Sequence, residues 1–204
     1  MVEAYLRRSP LSHRGLPARA RADAGRKASA GLLLAERPHR AQINLRGEAD
    51  AAFLDAVRGA LGLTPPTTPN TTAKAGELKA LWLGPNEWLI VGPDARRGEI
   101  ADQLRAALAG QHTAVTDVSE ARTAIAVSGP RARELMAKGT GLDLHPRAFK
   151  AGQCAQTAMA QANMTLDQTD DMPSYDLYIL DSFADYLWSW IELAGADLDI
   201  AVVE

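Results

Sequence analysis

The sequence has little cysteine and no long apolar run, and each absence excludes a class of protein. Cys154 is the only cysteine among the 204 residues, so no intrachain disulfide can form and nothing favours an oxidising compartment. No segment approaches the ~20 apolar residues that a membrane-spanning helix needs. The N-terminus lacks the apolar stretch of a signal peptide, because the Arg7-Arg8 pair is followed by Ser-Pro-Leu-Ser-His-Arg. We therefore expect a cytoplasmic protein that does not contact a membrane.

Motifs for nucleotides and metals are also missing. Gly139-Thr140-Gly141 looks like the start of a dinucleotide fingerprint, but it follows a predicted helix and no third glycine arrives in place. The aspartates of the 167–171 loop lack the ligand alternation and the closing glutamate of a calcium-binding loop. The four histidines have no ligand spacing, and one cysteine cannot supply a zinc cluster; they are His13, His39, His112 and His145. We predict no metal site and no cofactor-binding residue in this chain.

Side chains for catalysis are equally sparse. The sequence has no Gly-x-Ser-x-Gly elbow. Cys154 would be a nucleophile only with a histidine near it in space, and a lone cysteine at the start of a strand is usually a packing residue. Asp117 and Glu120 are of the right type for an acid and a base, but their position favours loop residues that lead into a strand. We predict no catalytic residue.

What the sequence does contain is enough apolar material for a core and an uneven distribution of charge. The chain is 47% hydrophobic, which suits one domain or two small ones. Residues 1–38 carry eight Arg and Lys against three Asp and Glu, a net charge of +5. Because the whole chain has a net charge of −3, the remainder carries −8. The pattern indicates a basic segment attached to an acidic body.

Residues 1–38 show no sustained helical or strand period and are rich in Arg, Ala, Gly and Ser. Alone they cannot bury enough apolar area to offset the entropy lost on ordering. We interpret them as an extended N-terminal arm that lies along a partner protein, or as a frayed tail. In the first case Arg7, Arg8 and Arg14 are candidates for a subunit interface. Binding of nucleic acid by the arm ranks last, because the body is acidic and the arm is not rich in aromatic residues.

Residues 39–204 form the predicted folded domain, in which one order of elements occurs twice. In the half 39–116, the sequence predicts a strand at 42–47, a helix at 50–61, a proline-rich loop, a hairpin turning at Pro85-Asn86 and a helix ending at Gly110. In the half 117–204, it predicts a strand at 122–129, a helix at 130–139, strands at 154–168 and 174–181 joined by the loop 167–171, and a closing helix from Ser182. This order is typical of an α+β fold with two ferredoxin-like β-α-β-β-α repeats and antiparallel sheet.

The tryptophans carry the remaining predictions. Strand alternation in the hairpin should place at least one of Trp82 and Trp88 in the core. In the last helix, Phe183, Leu187, Trp190 and Ala194 form one apolar stripe at helical spacing, which should face the core. Trp188 lies roughly 140° from Phe183 around that helix. We interpret it as an exposed anchor for a partner subunit, or as a residue that packs under the N-terminal arm or a neighbouring loop.

Three segments together resemble the gamma subunit of heterotetrameric sarcosine oxidase. The resemblance runs in order over roughly residues 39–200 and is carried by "GPNEWLIVGP" (84–93), "DVSEARTAIAVSGPRARELMAKGTGLDLHPRAF" (117–149) and "YDLYILDSFADYLWSWIELAG" (175–195). The sequence departs from the family pattern at Glu120, where histidine is expected after Asp-Val-Ser, and this puts any family role of that side chain in doubt.

The resemblance implies a function that composition and spacing do not. The complex is an oxidoreductase that oxidises sarcosine with oxygen to glycine, formaldehyde and hydrogen peroxide, or passes the one-carbon unit to tetrahydrofolate as methylenetetrahydrofolate. Its cofactors, FAD, FMN, NAD, tetrahydrofolate and zinc, are held by the alpha, beta and delta subunits. The gamma subunit packs mainly on alpha, is not catalytic by itself, and has a fold similar to the folate-binding domains of the glycine-cleavage aminomethyltransferases.

That last similarity leaves an alternative, a stand-alone protein that binds folate or transfers one-carbon units. The aminomethyltransferases are much longer and carry a further C-terminal barrel that this sequence lacks. Micromolar binding of a tetrahydrofolate by the chain alone would favour this alternative.

Overall fold

A computed structural model describes residues 7–204 of the chain. The helices in this range are α1 (Leu16–Asp23), α2 (Ala51–Leu61), α3 (Arg97–Ala107), α4 (Ala132–Gly139) and α5 (Asp181–Ala194). The strands are β1 (Leu32–Arg37), β2 (Ala41–Arg46), β3 (Thr72–Ala75), β4 (Leu78–Gly84), β5 (Glu87–Gly92), β6 (Ala114–Asp117), β7 (Arg122–Ser128), β8 (Cys154–Met159), β9 (Ala162–Asp170), β10 (Ser174–Leu180) and β11 (Ile200–Val202).

The strands form two sheets. A five-stranded sheet has the order β3-β4-β5-β2-β6, and all its neighbouring strands are antiparallel. A six-stranded sheet has the order β11-β1-β7-β10-β9-β8, in which only the β1–β11 pair is parallel. The fold is therefore mixed α+β with mainly antiparallel sheet, as predicted. The fold contains strands beyond the predicted order β-α-β-β-α, among them β3, β8 and β1, which is inserted beside β7. The two ferredoxin-like repeats therefore stay a prediction.

The two sheets lie face to face, and the helices cover their outer faces. On the five-stranded sheet, Phe53 and Val57 of α2 and Ile100 and Leu104 of α3 share one buried apolar cluster with the outer-face residues of β2 and β5. On the six-stranded sheet, α4 and α5 contribute to a second cluster with β7, β9 and β10. Between the sheets, Leu81, Leu89 and Val91 pack with residues of β7, β8 and β10. The central strands β2, β5, β7 and β10 thus bury both faces, since their side chains alternate between a helix layer and the other sheet.

Helix α2 and the hairpin of β4 and β5 follow local signals in the sequence. The Asp50 carboxylate accepts a 2.8 Å hydrogen bond from the backbone N–H of Phe53, which caps the start of α2. Gly62, with φ of 67°, ends the helix in the left-handed conformation that glycine adopts without strain. The Phe53 and Trp88 rings stack at a centroid distance of 5.3 Å, and Trp88 is fully buried. The prediction that at least one hairpin tryptophan lies in the core is confirmed.

The prediction of an extended N-terminal arm over 1–38 is wrong for most of that segment; residues 1–6 lie outside the described range. Residues 16–23 form helix α1, with Pro17 in its first turn and Leu16 buried. Residues 32–37 form β1, which pairs with β7 on one side and β11 on the other. The sequence gives no alternation there because a strand buried on both faces reads as a continuous apolar run, here Leu-Leu-Leu-Ala. The boundary at residue 38 therefore cuts β1 from the body of the fold, to which it belongs.

The strands of the five-stranded sheet come from residues 41–117, and those of the six-stranded sheet come from residues 122–202 together with β1. The prediction of one domain over 39–204, with approximate halves at 39–116 and 117–204, stays a prediction. The segment 154–168, predicted as one strand, is a hairpin of β8 and β9 that turns at Ala160-Gln161, where Ala160 has φ of 53°. The alternation of apolar residues continues on both sides of this turn, so the sequence pattern does not mark it.

Candidate functional site

Two of the predicted interface residues, Arg7 and Arg14, make ion pairs within the chain. Arg7 Nη1 lies 2.7 Å from Asp94 Oδ2, and Arg7 Nη2 lies 2.8 Å from Glu120 Oε1. Arg14 contacts two carboxylates of α5, with Asp185 Oδ1 at 2.6 Å and Glu192 Oε2 at 3.2 Å. The two arginine side chains are only 14% and 16% exposed. They fasten the N-terminal segment to both halves of the chain.

Arg8 differs from these two residues because it is exposed. It lies at the rim of a groove of about 490 Å³ whose lining combines charged and polar residues with apolar side chains, among them Leu11, Leu16 and Val203. Of the four predicted interface residues, Arg8 is the one whose charge faces solvent. It is therefore the one best placed to contact another protein.

The prediction of an exposed Trp188 is wrong. The residue is 0% exposed and belongs to the apolar cluster under the six-stranded sheet, as do Leu11 and Leu16 of the N-terminal segment. Helix α5 turns Ala184, Leu187, Trp188 and Ile191 toward the core, and it leaves Phe183 43% exposed. The sequence offers two overlapping apolar stripes on this helix, and the stripe with the small Ala184 against the sheet is the one that is buried. The second interpretation, in which Trp188 packs inside the chain, agrees with this burial.

A charged pair between the two sheets is the polar contact that the sequence does not reveal. Lys79 of β4 places Nζ 2.6 Å from Oδ1 and 2.5 Å from Oδ2 of Asp167 on β9. Asp167 is 0% exposed and the Lys79 side chain is 19% exposed. The prediction that residues 167–171 form a loop is therefore wrong, because β9 continues to Asp170. The sequence does contain a signal for this longer strand. Asn163, Thr165 and Asp167 alternate with apolar neighbours, and this alternation continues one residue into the predicted loop.

Burial changes the acidity of this carboxyl group. Removal of Asp167 from water raises its pKa from 3.8 to about 6, although the nearby Lys79 ammonium acts in the opposite direction. The pair lies beside a cleft of about 520 Å³ whose lining also includes Arg37, Arg40 and Asp176. Arg37 Nε donates a 3.1 Å hydrogen bond to Asp176. Charges of both signs thus line this cleft, so it has no strong preference for ligands of one charge.

The raised pKa predicts how Asp167 affects stability as pH changes. The folded chain binds this proton more tightly than the unfolded chain, so the contribution of Asp167 to the free energy of unfolding falls as pH rises from about 4 to about 6. A shift of this size corresponds to about 3 kcal/mol. We expect Asp167→Asn to remove this dependence, so that the wild type loses about 3 kcal/mol relative to the variant across that range. Urea unfolding at a series of pH values measures the difference.

The control for this experiment is Asp170→Asn, which changes an exposed carboxyl group near the end of the same strand. It should leave the shape of the pH profile as it is in the wild type. If the pH profile of stability were the same for Asp167→Asn as for the wild type, the raised pKa of Asp167 would be contradicted.

The side chains considered for catalysis are committed to structural contacts. Cys154 is 0% exposed, with Sγ 3.3 Å from the backbone oxygen of Thr71, and burial raises the pKa of its thiol to about 12. It is a packing residue and not an activated nucleophile. Asp117 and Glu120 both pair with Arg97. Burial opposes ionisation of Asp117, but hydrogen bonds from Ser119 and Arg97 outweigh it and lower its pKa.

No three His, Cys, Asp or Glu side chains within residues 7–204 come close enough together to hold a metal ion. In the same range no helix has both the length and the apolar character needed to cross a bilayer. In this part of the chain, the side chains described above pack or form ion pairs around the two sheets. The clefts lie at the margins of these sheets.

Comparison with known proteins supplies the family. The model of the sarcosine oxidase gamma subunit family matches residues 46–197, about three quarters of the chain. The chain belongs to this family. The sarcosine oxidase subunit gamma of an Arthrobacter species is 34% identical over 173 residues, which cover 84% of this chain and 82% of the relative. The prediction of family membership from the three sequence segments is confirmed.

Comparison with solved structures shows that the similarity extends from sequence to fold. The chain aligns with a chain of the heterotetrameric sarcosine oxidase from Corynebacterium sp. U-96, solved in complex with pyrrole 2-carboxylate, with a TM-score of 0.83 and 26% identity. The alignment covers 98% of this chain and 100% of that chain. The glycine cleavage system aminomethyltransferase T from Bartonella henselae aligns with a TM-score of 0.64 and 16% identity, over 85% of this chain and 48% of that chain. The second likeness concerns the fold alone.

Proposed function

We propose that this chain is the gamma subunit of a heterotetrameric sarcosine oxidase and that it contributes shape and contact area but no reacting group. The complex would demethylate sarcosine oxidatively to glycine, with hydrogen peroxide and either formaldehyde or methylenetetrahydrofolate as the other products. The observation that carries the proposal is the alignment with a chain of the Corynebacterium complex over nearly the full length of both chains. The commitment of Cys154, Asp117 and Glu120 to structural contacts also supports it.

The proposal assigns the chemistry to partner subunits. Alpha, beta and delta would hold FAD, FMN, NAD, tetrahydrofolate and zinc, and this chain would pack mainly on alpha in the cytoplasm. Arg8 is the strongest of the interface candidates because its charge is exposed. Arg7 and Arg14 would act indirectly, since their ion pairs hold the N-terminal segment that carries Arg8.

We infer further that the two halves are ferredoxin-like repeats. The order β4-β5-β2 in one sheet and β9-β10-β7 in the other supports this inference. In both halves the second strand of the hairpin lies beside the strand that precedes the first helix of that half. Such an order arises when a helix carries the chain over the sheet and leaves a gap for the returning strand.

Co-purification tests the proposal. The chain, tagged and co-expressed with alpha, beta and delta subunits of a sarcosine oxidase, should bring down all three together with flavin absorbance and sarcosine-dependent peroxide formation. The same chain expressed alone should have no flavin absorbance and no activity. A folded, isolated chain that demethylates sarcosine would overturn the assignment.

A charge reversal at Arg8 tests the interface. We expect Arg8→Glu to reduce the yield of partner subunits that co-purify with the chain. Arg147→Glu is the matched control, because Arg147 is also exposed but lies in the loop after α4. Equal yields from the two variants would remove Arg8 from the interface while leaving the subunit assignment intact.

A further inference from the structure

The cleft beside the Lys79–Asp167 pair lies at a margin of the two sheets, and both sheets contribute to its lining. Lys79 and Val91 come from the five-stranded sheet, whereas Asp167, Asp176 and Tyr178 come from the six-stranded sheet. Its volume of about 520 Å³ is in the range of sites for small organic molecules. Such sites occur preferentially where two parts of a fold meet, as they do at this cleft.

Two charged groups of this cleft keep hydrogen-bonding capacity that the chain itself does not use. Arg40 is half-buried, and its guanidinium makes no hydrogen bond and no ion pair with any residue of the range 7–204. Asp176 is 8% exposed, and its Oδ1 accepts the 3.1 Å hydrogen bond from Arg37. No donor from the described residues reaches the second oxygen, Oδ2. The cleft therefore offers one free cation and one free carboxylate oxygen.

The other charges of the lining balance each other. Lys79 and Asp167 contact each other directly. Lys74 and Glu77 have opposite signs, and both are exposed to water. The selectivity of the cleft for a ligand therefore depends on the free cation and the free carboxylate oxygen.

The hydroxyl group of Tyr178 lies at the same cleft. The residue is 3% exposed, and its hydroxyl makes no hydrogen bond with the part of the chain that the structure describes. Burial raises the pKa of Tyr178 well above its ordinary value; Asp176 and Asp167 act in the same direction, and Arg40 acts against it. Because these three charged groups line the cleft, their effect places the hydroxyl beside them. A buried tyrosine hydroxyl usually has a partner, so this protonated donor is available to a ligand.

We propose that this cleft binds a small zwitterion that carries the carboxylate and the ammonium group of an α-amino acid. The ligand carboxylate would pair with the Arg40 guanidinium and accept a hydrogen bond from the Tyr178 hydroxyl. The ligand ammonium would donate to Oδ2 of Asp176. A ligand with one charge would leave one of these groups unpaired in a site partly removed from water, which costs free energy. The side chains of Val91 and Pro93 offer apolar surface to the body of the ligand.

Three fluorinated probes with the same ring test the proposal, and the test does not depend on the assignment as a gamma subunit. 4-Fluorophenylglycine carries both charges, 4-fluorophenylacetate carries only the carboxylate, and 4-fluorobenzylamine carries only the ammonium group. Fluorine NMR measures the binding of each probe to the full chain at neutral pH. We expect the zwitterion to bind at least about tenfold more tightly than either of the other probes, because it makes both charged contacts.

Two variants assign the two charged contacts separately. Arg40→Gln should weaken binding of the zwitterion and of 4-fluorophenylacetate by about tenfold or more and leave 4-fluorobenzylamine unaffected. Asp176→Asn keeps the shape of the side chain and removes its charge. It should weaken binding of the zwitterion and of 4-fluorobenzylamine and leave 4-fluorophenylacetate unaffected. Loss of fold would weaken all three probes together, so this crossed pattern distinguishes lost contacts from lost structure.

The matched controls are Arg147→Gln and Glu48→Gln, which remove the same charges from exposed positions outside the cleft and should bind all three probes as the wild type does. Bound probe is counted per copy of this chain, so sites on any co-purifying subunit cancel between the wild type and the variants. Circular dichroism establishes that each variant is folded. Equal affinity for the three probes, wild-type affinity in Arg40→Gln and Asp176→Asn, or no bound zwitterion would each overturn the proposal.

Discussion

Replacement of Lys79 by methionine should lower the free energy of unfolding by about 3–5 kcal/mol at neutral pH, because it leaves a buried charge without a partner. Both carboxylate oxygens of Asp167 contact Lys79 Nζ, and Asp167 has no exposure to water. The pair joins β4 of one sheet to β9 of the other, so its loss also weakens the contact between the sheets. Urea unfolding followed by tryptophan fluorescence measures the change.

The loss should depend on pH in a definite direction. Without the ammonium group of Lys79, which lowers the pKa of Asp167, that pKa would rise above about 6. The variant chain can then relieve the buried charge by binding a proton at mildly acidic pH. We therefore expect the deficit of Lys79→Met to shrink as pH falls from neutral to about 5.

Two further variants separate the pair from the side chains that form it. Lys74→Met removes an exposed lysine from the neighbouring strand β3 and should change stability by less than about 0.5 kcal/mol. The double variant Lys79→Met with Asp167→Leu removes both charges and should recover most of the loss. If Lys79→Met were as stable as Lys74→Met, the pair would have no structural role.

Elements with local signals are the ones that the sequence predicts. The helix predicted at 50–61 is α2, whose cap at Asp50 and stop at Gly62 are both short-range features. The hairpin turns at Pro85-Asn86 because these two residues separate two apolar runs. Strand β1 lacks such a signal. Its place beside β7 depends on residues about 90 positions away, and a local pattern does not encode that contact.

The candidate sites were harder to predict for the same reason. Lys79 and Asp167 are separated by 88 residues, and each looks like an ordinary charged residue in its own segment. By contrast, the family resemblance rests on contiguous segments, which is why sequence alone identifies the family before it identifies any site.

Replacement of Trp188 by alanine should destabilise the chain by about 3–5 kcal/mol, because it opens a large cavity in a packed core. The side chain is fully buried in the apolar cluster that joins α5 to the six-stranded sheet and to the N-terminal segment. Thermal unfolding of the variant and the wild type measures the loss. If Trp188 were an exposed anchor for a partner subunit, the expected result would be the opposite. Truncation of an exposed side chain would leave the isolated chain nearly as stable as before.

A tryptophan-to-phenylalanine exchange at the same position separates volume from polarity. The indole Nε1 of Trp188 is buried and has no hydrogen-bond partner among the described residues. Trp188→Phe keeps most of the apolar volume and removes this unpaired donor, so we expect a clearly smaller loss than for alanine. A loss as large as that of the alanine variant would mean that the indole N–H has an unseen partner.

Leu193→Ala is the control on the same helix, because Leu193 is 79% exposed. It should change the free energy of unfolding by less than about 0.5 kcal/mol, which would show that position on α5 alone does not determine the loss at Trp188. Since a destabilised chain also assembles poorly, co-purification must be compared at a temperature well below the unfolding midpoint of Trp188→Ala. A Trp188→Ala chain with wild-type stability that fails to bring down its partners would return this residue to the subunit interface.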